Sequence, residues 1–251
     1  MPLRVVRDVM GMPVTIEVRD PDALPSAIDE AFADLVSIDR LFSPFLTDSA
    51  VSRINAGQLR PTEAGPLVDE VLGLCGRYER ATDGYFSAWS AGRLDPSGLV
   101  KGWAIARACA ILDRHGCRHY FVDGAGDVQT RGSSESGPWR VGIRHPIERD
   151  KVARVILASD LAVATSGTYE KGLHILDPHS GRPATDLLSL TVIGPGILEA
   201  DVYATAAFAM GHRALDFIER QTGFEAYAIA PDLVARWTTG FDAFCDVARG
   251  A

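Results

Sequence analysis

The sequence predicts an α+β fold with mostly antiparallel strands, on three observations. Apolar residues recur at helical spacing in several long stretches. Other stretches are short, alternating and bounded by turn residues, as strands are. Helix and strand do not alternate strictly, as the βαβ units of a parallel sheet would require. No repeat, low-complexity segment or linker divides the 251 residues. Residues 1–251 therefore read as a single domain of packed helices and sheet, although the length would accommodate two small ones.

Taken in order, Val14, Ile16 and Val18 alternate with Pro13, Thr15 and Glu17, as in a half-buried strand. Met10-Gly11-Met12 leads into it and reads as a bulge with core methionines. Its glycine also leaves room for a planar ligand. Ile28, Phe32, Leu35, Ile38 and Phe42 recur at intervals of three and four, which predicts a helix over 25–42. A polar loop over 43–49 follows, and Asp48 or Ser49 is placed to cap a short helical turn ending near Ile54. Leu67, Val71, Leu74, Tyr78 and Ala81 mark a further helix, stopped by Asp83-Gly84. The aromatic turn Tyr85-Phe86-Ser87-Ala88-Trp89 can stack on a planar ligand or plug the end of a helix pair. The residues alone favour the plug.

Asp95-Pro96-Ser97-Gly98 is a polar turn before a helix from about residue 100, with Gly116 as the expected C-cap. Lys101 then stands at the front of that helix, where the dipole opposes a cation unless something negative lies nearby. Residues 118–123 read as a strand, followed by Gly124-Ala125-Gly126-Asp127. This is a poor dinucleotide fingerprint, because no helix follows. Strands are expected over 139–144, 154–158, 161–165 and 188–194. Pro195-Gly196 then turns into a helix over 199–210. A last helix over 212–220, a strand over 225–230 and a mixed tail complete the chain, with Trp237 and Phe241 packing back.

Composition excludes several classes. A formal net charge of -8 argues against nonspecific nucleic-acid binding, which needs a basic surface. It leaves room for a phosphate-bearing ligand neutralised by a local metal. The first residues hold no apolar run of signal-peptide length, and no segment approaches the roughly 20 apolar residues of a membrane span. A cytoplasmic protein with no membrane partner is expected. Cys75, Cys109, Cys117 and Cys245 are scattered without a Cys-x-x-Cys pair, which argues against zinc.

The stretch richest in chemistry runs over residues 164–205. Small residues, hydroxyls, a histidine and acids recur there with little bulky apolar filling. Asp201 and Thr205 are four apart in a helical segment, so their oxygens lie on one face. A carboxylate and a hydroxyl so placed can hold a hard cation such as Mg²⁺. The bland alternative is an acid favouring a helix N-terminus. As an exposed ligand, Asp201 is expected to matter more for activity than for folding.

Together these pieces resemble the ApbE family, the FAD:protein FMN transferases. The resemblance spans residues 10–211 and rests on Met10-Gly11, 43–55, 82–86, 95–103, 124–127, Thr165-Ser166-Gly167, 174–178 with Gly181, and Asp201 with Thr205. The run His174-Ile175-Leu176-Asp177-Pro178 and the pair Asp201 and Thr205 are its most specific parts. It implies an ApbE-like fold and a Mg²⁺-dependent enzyme. Such an enzyme moves the FMN half of FAD to a Thr or Ser hydroxyl of an acceptor flavoprotein, with AMP released. It also implies Asp201, Thr205 and a backbone carbonyl near Gly98 as metal ligands. Met10, Phe45, Tyr85, Phe86, Ser87, Asp95, Lys101 and Ile175 would contact FAD. His174 is the candidate base for activating the hydroxyl, or else a residue orienting its own turn.

The chain departs from the family pattern at Ser87, at Thr168, at Phe45 and in the 123–127 turn. Two rivals stay open: a Mg²⁺-dependent FAD pyrophosphatase using water, and a flavin-binding or delivery protein without catalysis.

Overall fold

Leu3–Val9 (β1) and Met12–Val18 (β2) pair as an antiparallel hairpin. Met10 and Gly11 turn between them at φ of 57° and 70°. Positive φ at both central positions matches the twist of hairpin strands, so Met10-Gly11 is a hairpin turn and not the expected bulge. β1 has no counterpart in the sequence reading. It is an edge strand with only Val9 buried, so its apolar alternation is weak. The structure, a computed structural model, describes residues 2–90, 92–148, 150–168 and 175–246.

The helices follow their apolar spacing closely. Pro25–Phe42 (α1) buries Ile28, Phe32, Leu35, Ile38 and Phe42 on one face. Ala50–Asn55 (α2) is capped by Ser49, whose Oγ accepts the Ser52 N–H at 3.0 Å. Pro66–Ala81 (α3) is followed by the short hairpin of Trp89–Ser90 (β3) and Arg93–Leu94 (β4). Ser97–Arg114 (α4) begins earlier than the spacing predicts, which puts Lys101 in the second turn instead of at the front. Gly116, at φ 79°, sits just beyond its C-terminus. Fully burying a side chain such as Leu99, Ile105 or Leu112 contributes about 1.5–3 kcal/mol.

The strands that follow are Tyr120–Gly124 (β5), Asp127–Arg131 (β6), Trp139–Arg144 (β7), Val152–Ala158 (β8), Ala162–Gly167 (β9) and Ser189–Gly194 (β10). Ile197–Met210 (α5), a 3-10 turn at Gly211–Arg213, Ala214–Glu219 (α6), Glu225–Ile229 (β11) and Ala235–Trp237 (β12) come after. The last helix expected over 212–220 is thus divided. β6 was not expected. Its buried run contains Gln129 and Thr130, polar residues that hide the alternation.

The main sheet has the order β1-β2-β5-β6-β9-β10-β11-β12, and its pairings are antiparallel. Alternation along the strands divides two cores. Ala162, Ala164, Leu190, Val192, Ala226 and Ala228 face the core built with α1, α4 and α5. Val163, Ile193, Tyr227 and Ile229 face the other side, where the β7–β8 hairpin brings Trp139, Ile143 and Ile156 and the tail brings Phe241. Trp237 stacks on Tyr227. Among the described residues, no helix is long and apolar enough to cross a membrane.

Register places the chemistry. Val14 pairs with Gly124 and Gly124 with Asp127. Val128 pairs with Val163, and Gly167 with Ser189. The turns at 10–11 and 125–126, the start of β6, the end of β9 and the start of β10 therefore share one end of the sheet.

Candidate active site

Two helices cross at this end with almost no space between them. Gly98 and Gly102 of α4 are four apart, as are Asp201 and Thr205 of α5, so each pair presents one face. A Cβ at Gly98 would lie 3.8 Å from Thr205 Oγ1, and one at Gly102 would lie 2.9 Å from Asp201 Cβ. Gly102 lets α5 come against α4, and α5 is built for that with alanine at 200, 204, 206, 207 and 209.

Asp201 is buried, at 3% exposure, which corrects the expectation of an exposed residue. α5 starts at Ile197, so Asp201 lies beyond the first turn and does not serve as an N-terminal acid. Its Oδ2 accepts the Gly102 N–H at 2.9 Å, and its Oδ1 lies 3.5 Å from Lys101 Nζ. Lys101 also pairs directly with Asp127 Oδ2 at the start of β6. Asp127 is 2% exposed, and its Oδ1 accepts the Thr165 N–H of β9 at 2.9 Å.

Two carboxylates thus share one ammonium in a water-poor place. Burial pushes the Asp201 carboxyl upward, Lys101 pulls it down, and Asp127 pushes it up again; the net direction is upward. Burial pulls the Lys101 ammonium down, but Asp127 and then Asp201 more than offset this, and it stays charged. The negative neighbours that a lysine on this helix calls for are these two side chains.

The donor chemistry around Asp201 suits a hard cation. Its carboxylate, the Thr205 hydroxyl and the Gly98 carbonyl are all oxygens, and Mg²⁺ is held by one or two carboxylates with places left for water or phosphate. A dication beside Asp201 would also offset the burial that now raises its carboxyl. Among the described residues, no three His, Cys, Asp or Glu side chains are grouped for a metal. A cation held here would have to draw on hydroxyl and carbonyl oxygens as well as carboxylate.

The other expected residues surround this group at various distances from it. Phe86 is buried, with a ring carbon 3.4 Å from where a Gly98 Cβ would lie, so its ring packs against the start of α4. Tyr85 is half-buried; Arg213 lies over its ring and bonds its hydroxyl, and the His179 ring meets it edge-on at 4.5 Å. Ser87 Oγ folds back on the Trp89 backbone. Asp95 Oδ1 accepts the Ser97 N–H at 3.1 Å and holds the turn into α4. Phe45 is 90% exposed. Met10 donates its N–H to Asp39 Oδ2 at 3.2 Å, and Ile175 accepts from the Ala184 N–H at 3.0 Å. Among the described residues, Met10, Phe45, Ser87, Asp95 and Ile175 make no hydrogen bond or ion pair with the Asp127, Lys101 and Asp201 group. His174 lies outside the described residues, as does the run 169–173.

The sequence reading missed Gly102, Arg213 and the pairing role of Asp127. For Gly102 a signal existed: Gly98 and Gly102 repeat the spacing of Asp201 and Thr205. Asp177, by contrast, holds its own turn, accepting the His179 N–H at 3.0 Å through its side chain. Two depressions of about 300 and 360 Å³ lie elsewhere, beside Cys109 and Gln129 and between α1 and β1. Both also hold acids and an arginine, Asp113, Glu199 and Arg131 in the first and Asp8, Asp29 and Arg7 in the second; what sets the α4–α5 crossing apart is that its acids, Asp127 and Asp201, are buried around one lysine.

This combination defines a class: an antiparallel-sheet α+β protein with an acid, hydroxyl and lysine site where two helices cross at one sheet end. The ApbE protein from Thermotoga maritima has the same fold, with a TM-score of 0.85 at 23% identity over 97% of this chain and 99% of that one. The profile of the ApbE family matches residues 10–91 and 88–228, and the chain belongs to that family. The FAD:protein FMN transferase of Klebsiella pneumoniae (strain 342) is 30% identical over 150 residues, 55% of this chain and 43% of that protein. The FAD:protein FMN transferase of Rhodobacter capsulatus is 31% identical over 188 residues, 72% of this chain and 33% of that protein. The chain spans less than half the length of these curated relatives.

Proposed function

We propose that this chain is a Mg²⁺-dependent FAD:protein FMN transferase. It moves the FMN half of FAD onto a Thr or Ser hydroxyl of an acceptor flavoprotein and releases AMP. The observation that carries the reading is the buried Asp201 carboxylate 3.5 Å from the Lys101 ammonium, on the helix face it shares with Thr205, which packs against Gly98, in a chain of the ApbE family.

In this reading Asp201, Thr205 and the Gly98 carbonyl hold Mg²⁺, which supplies charge neutralisation at the pyrophosphate. Gly102 keeps Asp201 in place through its N–H. Lys101 meets a phosphate oxygen. The exposed Phe45 ring, Tyr85 and Met10 offer surface to the flavin and nucleotide, with Phe86, Ser87, Asp95 and Ile175 shaping the remaining wall. His174 takes the proton from the acceptor hydroxyl. A bond then forms from that oxygen to the FMN phosphorus, and the bond from that phosphorus to the bridging oxygen of AMP breaks.

The test is the mass of a threonine-bearing acceptor domain after incubation with this protein, FAD and Mg²⁺. A covalent FMN adduct that disappears when a chelator is added is the expected result. AMP without adduct, with and without acceptor, would replace the transferase with a pyrophosphatase. FAD bound with no turnover would leave a flavin-delivery protein.

A further inference from the structure

The glycine turn before β6 ends in an acid that the proposed reaction does not use. Asp127 follows Ala125 and Gly126, whose φ values of 54° and 99° make a tight hairpin turn. The pairing of β6 with β9 covers Val128 with Val163 and Gln129 with Ala162. Just beyond it, the Asp127 carboxylate takes up the Thr165 N–H. One carboxylate oxygen is thus tied to the sheet. The other faces Lys101, and the side chain is only 3% exposed.

A carboxylate at that depth is costly unless paired, and a buried ion pair adds little net stability over apolar packing. A placement of this kind serves to fix a charge. The Lys101 side chain is 30% exposed, so it is held by Asp127 from below without being sealed off entirely from the surface. Asp127 contacts it directly, whereas Asp201 stands off at 3.5 Å. A cation on Asp201 would repel Lys101, and Asp127 is the group that would keep the ammonium in the site.

The geometry points to Asp127 as a positioning residue that holds the Lys101 ammonium for an anionic oxygen of the substrate pyrophosphate. This inference rests on the proposed transferase reading. Asp127 acts through Lys101 and need not touch substrate.

The experiment is a double-mutant cycle on the full chain, with FAD affinity read from quenching of flavin fluorescence and transfer measured separately as KM and kcat. D127N keeps the shape and the Thr165 contact but loses the charge. It is expected to weaken FAD binding about tenfold, raise KM by a similar factor, and change kcat little. In a K101A background the same substitution should change FAD affinity less than about twofold, because additivity fails for residues that act together. Thermal melting of each variant checks folding. A wild type that transfers FMN while D127N binds FAD normally would overturn the positioning role and spare the transferase. An equal loss from D127N with and without Lys101 would also overturn it. A folded wild type that binds no FAD would overturn both.

Discussion

Gly102 donates its backbone N–H to Asp201 Oδ2 at 2.9 Å across the crossing of α4 and α5. The contact requires a glycine, since a Cβ at that position would meet the Ile197 carbonyl at 2.8 Å and Asp201 Cβ at 2.9 Å. Asp201 is therefore part of the helix packing as well as a candidate ligand, and its variants separate the two roles.

Asp201→Ala leaves the Gly102 N–H without its acceptor and should cost about 1–3 kcal/mol, seen as a lower Tm. Asp201→Asn keeps that acceptor and removes a charge disfavoured by burial, so it should melt at or above wild type. Both should lose more than about 100-fold in Mg²⁺-dependent transfer, as expected when a ligand to the ion is removed. Full transfer by the Asn variant would remove Asp201 from the metal site.

The two glycines should respond differently. Gly102→Ala overpacks the crossing and should destabilise by about 1–3 kcal/mol. At Gly98 a Cβ would meet Phe86 at 3.4 Å and Thr205 Cγ2 at 3.6 Å, which are ordinary contacts. Gly98→Ala also keeps the backbone carbonyl, so it should retain most of its stability and its response to Mg²⁺. Equal melting temperatures for the two variants would contradict the close approach at Gly102.

Asp123 supplies a pH dependence. Burial raises its carboxyl above the ordinary 3.8, although the Gly126 N–H, bonded at 2.8 Å, works against this. A raised carboxyl holds its proton in the folded state at pH values where the unfolded chain has lost it. The folded state then binds more protons, so this group's contribution to stability falls as pH rises from 3.8 through its folded-state value. Asp123→Asn keeps an acceptor for Gly126 and should raise Tm at pH 7 with no gain at pH 3. A gain of the same size at both values would point to some cause other than the charge.

The cysteines offer a check on packing. Burial pushes the thiols of Cys75 and Cys109 up to about 12. Thiolate is the reactive form, so iodoacetamide at pH 8 should modify the half-buried Cys245 first and reach Cys75 and Cys109 only after unfolding. Peptide mass spectrometry gives the order. Labelling of Cys109 at the rate of Cys245 would show that α4 opens in the native state.

Helices were legible wherever apolar spacing was local. α1 runs over the residues its Ile28-to-Phe42 pattern predicts, and the Ser49 cap could be read from the residue type. Strands were legible where they alternate, as in β2, and lost where neighbours changed the rule. β1 is an exposed edge. In β6, Gln129 is buried because its side chain accepts the Ile197 N–H at 2.9 Å, and Thr130 because its hydroxyl bonds the Leu161 carbonyl at 2.9 Å. A polar residue buried by a distant partner carries no local apolar signal.

By itself, the sequence determined the α+β class, most helices, and the alignment of Asp201 with Thr205 on one helical face. These depend on local spacing, which the backbone geometry of a helix turns directly into position. Only the tertiary structure decided that Asp201 is buried, that Gly102 bonds it, and that Lys101 sits between Asp127 and Asp201. Those facts join α4, α5 and β6, segments far apart in the chain. They follow from how closely two helices pack against a sheet end, and no local pattern encodes that distance.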